Sequence, residues 1–271
     1  MVSRVDRVSL HRNPDGDLAP IIVLWAVPRS TSTAFEQMMR RRGDIRCFHE
    51  PFGEVWHCGD DDRCPPAHRY DHRPGLTLES RWAELLAAAA EGPIFVKDFP
   101  HHVTPIADEQ FLARITHSFL VRDPAKALPS LYAQWNDFTL EEAGFEAQRD
   151  LFDRVAEHDG KLPPVVDSDD LLADPADVVA AWCEAVGLPF LPDALEWDPG
   201  TRVEADWYEG APWHKELEQS AGFTTRRSHH VPIDHTDALR SAHDASRPHY
   251  LRLHAHRVRP NANDPGPEPE R

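Results

Sequence analysis

Guanidinium and hydroxyl groups gather where the chain makes its first turn. The apolar run Ile21–Ala26 (IIVLWA) leads almost directly into Pro28-Arg29-Ser30-Thr31-Ser32-Thr33. A cation and a row of hydroxyls between a strand and a helix have the chemistry of an anion site, because the first N–H groups of a helix lack intrahelical partners. The same Ser and Thr residues would serve equally as ordinary helix caps. A second pairing is Arg122 with Ser130, in VRDPAKALPS. Their spacing is about two helical turns, so the hydroxyl can return to the side from which the Arg leaves its strand. Arg plus hydroxyl suits a second phosphate, although Arg122 also has Asp123 beside it for a surface ion pair.

Groups able to move a proton follow in Phe48-His49-Glu50-Pro51-Phe52 and Lys97-Asp98-Phe99-Pro100-His101-His102. Glu50 reads as a base or as a solvated, helix-capping carboxylate; Lys97 reads as a site cation or as a strand-end surface lysine. His57, Cys58, Cys64, His68 and His72 have donor atoms that suit zinc, but paired C-x-x-C spacing is absent and 17 His are spread over the whole chain. No metal is therefore expected. Asp60-Asp61-Asp62 reads as a solvated loop. Trp197, Trp207, Tyr208 and Trp213 either line a pocket for an aromatic or lipid-like alcohol or fill a core.

These groups need a scaffold that brings distant segments together, and the hydropathy pattern supplies one. Strands are expected at Ile21–Ala26, Ile45–His49, Pro93–Phe99, Ile115–Val121 and Pro164–Asp167, as short apolar runs buried on both faces. Helices are expected at Ser32–Arg42, Leu78–Ala90, Ala125–Trp135, Leu140–His158 and Asp174–Val186, the last closed by Gly187, with helical pattern returning after Pro232. Such alternation predicts a three-layer α/β/α domain around a mostly parallel sheet. Residues 1–18 read as a mobile leader, 19–259 as one domain, 53–74 as a long loop or lid, and 260–271 as a disordered tail.

The chain has 271 residues, 29 Lys plus Arg and 46 Asp plus Glu, for a formal net charge of −17. That balance argues against a nucleic-acid partner, which needs a basic face. The longest apolar run, Leu18 to Val27, is half of a membrane span, and no signal peptide precedes it. Four irregularly spaced Cys fit free thiols in a reducing cytoplasm.

Pro28-Arg29-Ser30-Thr31-Ser32-Thr33 and Arg122…Ser130 together resemble the nucleotide-binding elements of sulfotransferases that use 3′-phosphoadenosine-5′-phosphosulfate (PAPS). Asp169-Asp-Leu-Leu-Ala-Asp-Pro175, with Gly187-Leu-Pro beyond it, resembles a third family segment, E-D-L-x-x-D-P. The resemblance runs from about Ile21 to Pro189 and implies a P-loop-like sulfotransferase fold. By it, Arg29, Ser30, Thr31, Ser32 and Thr33 bind the 5′-phosphosulfate, while Arg122 and Ser130 bind the 3′-phosphate. Arg226-Arg227 is the nearest basic pair to the family's C-terminal R-K-G element. Many members carry Lys and Gly where this chain has Arg29 and Thr31, so Thr31 is strained if its φ is positive.

The implied reaction moves the sulfuryl group by in-line displacement from PAPS, a donor co-substrate, to a hydroxyl or amine of a small-molecule acceptor. It requires no metal, and Arg29 would neutralise the charge that develops. The family's K-T-H-L-P histidine has no counterpart, because Phe99 occupies its place. Some bacterial members use the Glu of a G-E-P segment, which Phe48–Phe52 matches, so Glu50 is the first candidate base, followed by His49 and His101 or His102. Lys97 would contact the acceptor or the sulfuryl oxygens; Lys97 and Lys126 are further cations for the cleft. Two other readings stand beside this one: an atypical P-loop kinase, disfavoured because no G-x-x-x-x-G-K-[ST] is present, and a non-catalytic nucleotide-binding protein.

Overall fold

Side chains along a strand point alternately to its two faces, and β1 (Ile21–Ala26) is buried on both. Ile21, Val23 and Trp25 enter one core, while Ile22, Leu24 and Ala26 enter the other. Such a strand belongs in the middle of a parallel sheet. In the computed structural model, which describes residues 19–64, 70–200, 219–224 and 231–259, that is where it lies. With β2 (Arg46–His49), β3 (Ile94–Asp98), β4 (Ile115–Val121) and β5 (Val165–Asp167), it forms a five-stranded sheet of order β2-β3-β1-β4-β5 in which all pairs are parallel.

The helices are α1 (Ser32–Arg42), α2 (Pro51–Cys58), α3 (Leu78–Glu91), α4 (Glu109–Ala113), α5 (Pro124–Tyr132), α6 (Leu140–Ala143), α7 (Phe145–Asp159), α8 (Ser168–Ala173), α9 (Pro175–Val186) and α10 (Asp237–His254). α1, α8 and α9 cover one face, where Phe35 meets Trp182 edge-on at 4.8 Å. The others pack on the opposite face around Trp25, Phe119 and Phe152. The expected α/β/α layering is thus present.

The differences are local and have physical causes. The segment expected as loop from Gly53 begins instead as α2, which runs to Cys58. Its cap comes from another strand, since Asp98 Oδ2 accepts from the Phe52 N–H at 2.8 Å. The helix expected over Leu140–His158 breaks at Gly144, which takes a φ of 78°. α8 forms inside the Asp-rich segment because Asp167 accepts from the N–H groups of Asp169 and Asp170. The expected leader, the tail, His68, Trp207, Tyr208, Trp213 and Arg226-Arg227 lie outside the described residues. Trp197 fills core, edge-on to Phe223 at 5.5 Å.

The core holds one histidine whose charge state its neighbours dictate. Trp25 Nε1 donates to His117 Nδ1 at 2.9 Å, and His117 Nε2 lies 3.1 Å from the Leu112 carbonyl. Protonating Nδ1 would set two N–H groups against each other. Burial accordingly pushes the His117 pKa down to about 4. An unfolded histidine titrates near 6.5, so between pH 6.5 and about 4 the unfolded chain binds a proton that the folded chain refuses. Stability should therefore fall by about 3 kcal/mol on this account as pH drops through the window. Buried His101 acts in the same direction. His117→Gln is expected to remove roughly one proton from the slope of urea-unfolding free energy against pH. An unchanged slope would refute the assignment.

Candidate active site

The sheet order decides where a ligand can enter. β1 sends its chain toward the β2 edge and β4 toward the β5 edge, so the loops leaving these adjacent strands diverge at their carboxyl ends. Open α/β sheets bind ligands in such a crevice. Gln148, buried on α7, spans it by donating to the carbonyls of Trp25 and Leu120, each at 3.0 Å.

Both predicted phosphate elements meet there. Arg122 Nη1 donates to the Arg29 carbonyl at 2.5 Å, and Arg29 Nε donates to Ser130 Oγ at 3.0 Å. Ser130 is buried near the end of α5. Arg122 is thus tied to the first turn, while Asp123 caps α5 through the Ala125 N–H. Ser32 and Thr33 open α1.

The turn itself is strained. Arg29 has a φ of 63° and Thr31 a φ of 73°; with Glu50, at 44°, they are the described non-glycine residues of positive φ. Left-handed backbone costs an L-residue about 1–2 kcal/mol, and such residues gather at functional sites. Local bonds hold the turn: Ser30 Oγ donates to the Val27 carbonyl at 2.7 Å, and Thr31 Oγ1 lies 2.7 Å from Ser168 Oγ on α8. Thr31 occupies the N-cap position of α1 without making a side-chain cap bond. Its hydroxyl fastens the turn to α8.

The end of β3 sorts its two charged residues by alternation. Lys97 points to the α1 face and Asp98 to the α2 face. Lys97, 1% exposed, is ion-paired with Glu50 and sits 4.9 Å from the Phe99 ring centroid. Glu50 in turn lies 3.7 Å from His49 Nε2, and His49 Nδ1 lies 2.5 Å from Glu36 Oε2 on α1. Arg40 closes the series on Glu36 at 2.8 Å. Burial alone would raise the pKa of Glu50, but Lys97 and His49 outweigh it and hold the carboxyl well below its usual range. His49 and Arg40 do the same for Glu36 against its burial. Glu50 stands at the N-cap position of α2 and makes no cap bond. Asp98 caps that helix, which leaves the Glu50 carboxylate to Lys97.

On the other face Asp98 accepts from the Phe99 N–H and lies 2.7 Å from His102 Nδ1. His102 is fully buried, its Nε2 meets no hydrogen-bond partner among the described residues, and Phe99, Trp56 and His57 surround its ring. His101 stacks beside Phe99, and burial keeps it neutral. Lys126 is committed to Asp169 on the surface. His57 contacts the rings of Tyr70 and Trp135, and His72 pairs with Asp60. No three metal-donor side chains converge among the described residues.

A groove of about 300 Å³, lined by Pro100, His101, Leu140, Glu146 and Arg154 among others, opens beside the site. Gly144 closes the gap between them, since a Cβ there would stand 3.1 Å from His101 and 3.8 Å from Pro28. Glu36, Gln148 and Ser168 escaped the sequence analysis. None carries a motif, and each acts through a partner distant in sequence or on a neighbouring element.

A family model described as a sulfotransferase domain matches residues 21–256. Two relatives from Arabidopsis thaliana, the branched-chain-amino-acid aminotransferase-like proteins 2 and 1, are 23% identical over 226 residues and 26% identical over 253. These matches take in 81% and 87% of this chain but 39% and 42% of the relatives, so the chain spans about two-fifths of their length. The solved sulfotransferase domain of the Synechococcus PCC 7002 olefin synthase aligns with a TM-score of 0.48 at 15% identity, over 88% of this chain and 98% of that one. The sulfotransferase domain from the curacin biosynthetic pathway gives 0.47 at 12%, over 84% and 98%. The family match extends from the first residue of β1 to beyond the end of α10, and the chain belongs to the sulfotransferase family.

Proposed function

We propose that the protein transfers a sulfuryl group from PAPS to a hydroxyl or amine of a small-molecule acceptor. The observation that carries this reading is the meeting of Arg29, Arg122 and Ser130 on one strained turn where β1 and β4 diverge. Both arginines are bonded to this turn, and a polyanion bound at it meets two positive charges. In this reading Arg29, Ser30, Thr31, Ser32, Thr33 and the opening N–H groups of α1 take the 5′-phosphosulfate, while Arg122 and Ser130 take the 3′-phosphate.

Sulfuryl transfer rests on positioning and charge neutralisation, as phosphoryl transfer does. The acceptor oxygen or nitrogen bonds to sulfur as the bond from sulfur to the 5′-phosphate oxygen breaks. Arg29 and Lys97 meet the charge that moves onto the bridging and outer oxygens. Glu50 takes the acceptor's proton, and His49 fixes that carboxylate against Glu36. His102, oriented by Asp98 with Nε2 directed away from it, is the second candidate base. The groove beside His101 is the acceptor's approach, and the carboxylates of Glu141, Glu146 and Asp150 along it select against anionic acceptors.

Binding of adenosine 3′,5′-bisphosphate tests the donor. It should exceed that of AMP or ATP, and Arg122→Ala should remove most of the preference, about 2 kcal/mol or thirtyfold, when followed by titration calorimetry. Indifference to the 3′-phosphate would rule out PAPS, and turnover of ATP would favour the kinase. The turn has its own test in thermal unfolding. Thr31→Ala keeps the left-handed backbone and loses the bond to Ser168, at a cost of about 1 kcal/mol. Thr31→Gly loses the same bond but relieves roughly 1 kcal/mol of strain. The Gly variant should therefore melt above the Ala variant, and equal melting would show that the turn stores no strain.

A further inference from the structure

The Lys97–Glu50 pair carries an inference beyond the residue roles above, and it rests on PAPS being the donor. The pair is buried, with Lys97 1% and Glu50 7% exposed. Its members come from different elements: Lys97 from the last turn-ward residues of β3, and Glu50 from the β2–α2 junction, where its φ of 44° is strained. The backbone reinforces the contact, because the Glu50 N–H donates to the Lys97 carbonyl at 2.8 Å. The carboxylate is spared the capping of α2, which Asp98 performs. The Lys97 ammonium therefore has a carboxylate in contact and lies on the side of the sheet covered by α1, whose N-terminus is the anion site. Glu36, in the second turn of α1, is within its electrostatic reach.

Two tasks thus compete for one lysine. A carboxylate bound to an ammonium is a poor proton acceptor, and an ammonium bound to a carboxylate is a poor ligand for a sulfuryl group. We propose that Lys97 couples the two: the sulfuryl group of the donor draws the ammonium away from Glu50, and only the released carboxylate accepts the acceptor's proton. Once Lys97 leaves, burial acts on Glu50 with its largest opposing charge removed, which raises its affinity for a proton. The proton passes from the acceptor O–H or N–H to Glu50 as the new bond to sulfur forms. The electron pair of the broken S–O bond leaves with the 5′-phosphate of adenosine 3′,5′-bisphosphate. The base is thereby idle until the donor is in place, so the donor binds productively before the acceptor.

PAPS and adenosine 3′,5′-bisphosphate differ by the sulfuryl group, and the ratio of their dissociation constants isolates what Lys97 contributes. In Glu50→Gln, Lys97 no longer abandons a charged partner, so the preference for PAPS over the bisphosphate should rise roughly tenfold, while sulfuryl transfer falls by about a hundredfold or more. Glu50→Asp keeps the charge but shortens its reach, and should raise the same preference by a smaller factor; it decides the matter if Glu50→Gln does not fold. In the double variant Glu50→Gln/Lys97→Met the preference should fall to that of Lys97→Met alone. A preference unchanged or reduced in both Glu50 variants would overturn the coupling. If the unaltered protein binds neither nucleotide better than AMP, the donor assignment has failed instead, and the two failures are distinct.

Discussion

The site depends on a turn that its own residues do not favour. Arg29 and Thr31 both hold left-handed backbone without glycine's freedom, within five residues of the strand that feeds them. Such a conformation persists only when its surroundings over-determine it. Here the surroundings are Ser168 on α8, Arg122 at the end of β4 and Ser130 on α5. α8 exists because Asp167 caps it, and Asp167 is held in turn by the Tyr250 hydroxyl of α10 at 3.2 Å. A path of hydrogen bonds therefore connects the last described helix to the first loop. The carbonyls and hydroxyls that fix the turn become available only when the sheet has assembled in its order, which makes the candidate site a product of the whole fold.

The end of β3 shows how the two-residue repeat of a strand divides labour. Lys97 and Asp98 are neighbours in sequence and emerge on opposite faces. One enters a buried series with Glu50, His49 and Glu36; the other caps α2 and orients His102. A shift of one residue in register would exchange them, placing a carboxylate against Glu50 and an ammonium against the N-terminus of α2. The apolar alternation Ile94, Val96 against Phe95 forbids that shift, since each set is buried in its own core. Core packing thus fixes the chemistry.

The strands were legible because their hydrophobic runs are nearly continuous, and Ile115–Val121 could be read to the residue. The first turn with Arg29 and the pair Arg122 and Ser130 stood out separately, each beyond a strand end, and the resemblance joined them; the bonds that link them come from the fold. The start of α2 was hidden: its cap is Asp98, 46 positions away, and Glu50, the residue with the right sequence position and chemistry, does not perform it. Gly144 was an ordinary glycine in a helical pattern, and its φ of 78° marks where the helix breaks in two. Glu36 lay unnoticed on α1 for a related reason. A buried carboxylate within a helix is explained by His49 and Arg40, and only the first of these depends on tertiary structure. What the sequence could not show is which of several plausible partners each polar group would find.

The net charge of −17 is a property of the surface more than of the interior. The buried carboxylates are each spoken for: Glu36 by Arg40 and His49, Glu50 by Lys97, Glu54 by Arg73 and Arg81, and Asp98 and Asp167 by backbone N–H groups. Arg29 and Arg122 are tied to the first turn, the one through the Ser130 hydroxyl and the other through the Arg29 carbonyl. The field of an acidic exterior falls off over a Debye length of roughly 8 Å at physiological salt, whereas a charge in direct contact with a ligand is screened far less. A polymeric polyanion must bring its phosphates along a broad face, whereas a small ligand meets only the groups around its own pocket. An acidic balance of this kind therefore opposes a broad phosphate face more than it opposes a small anionic ligand.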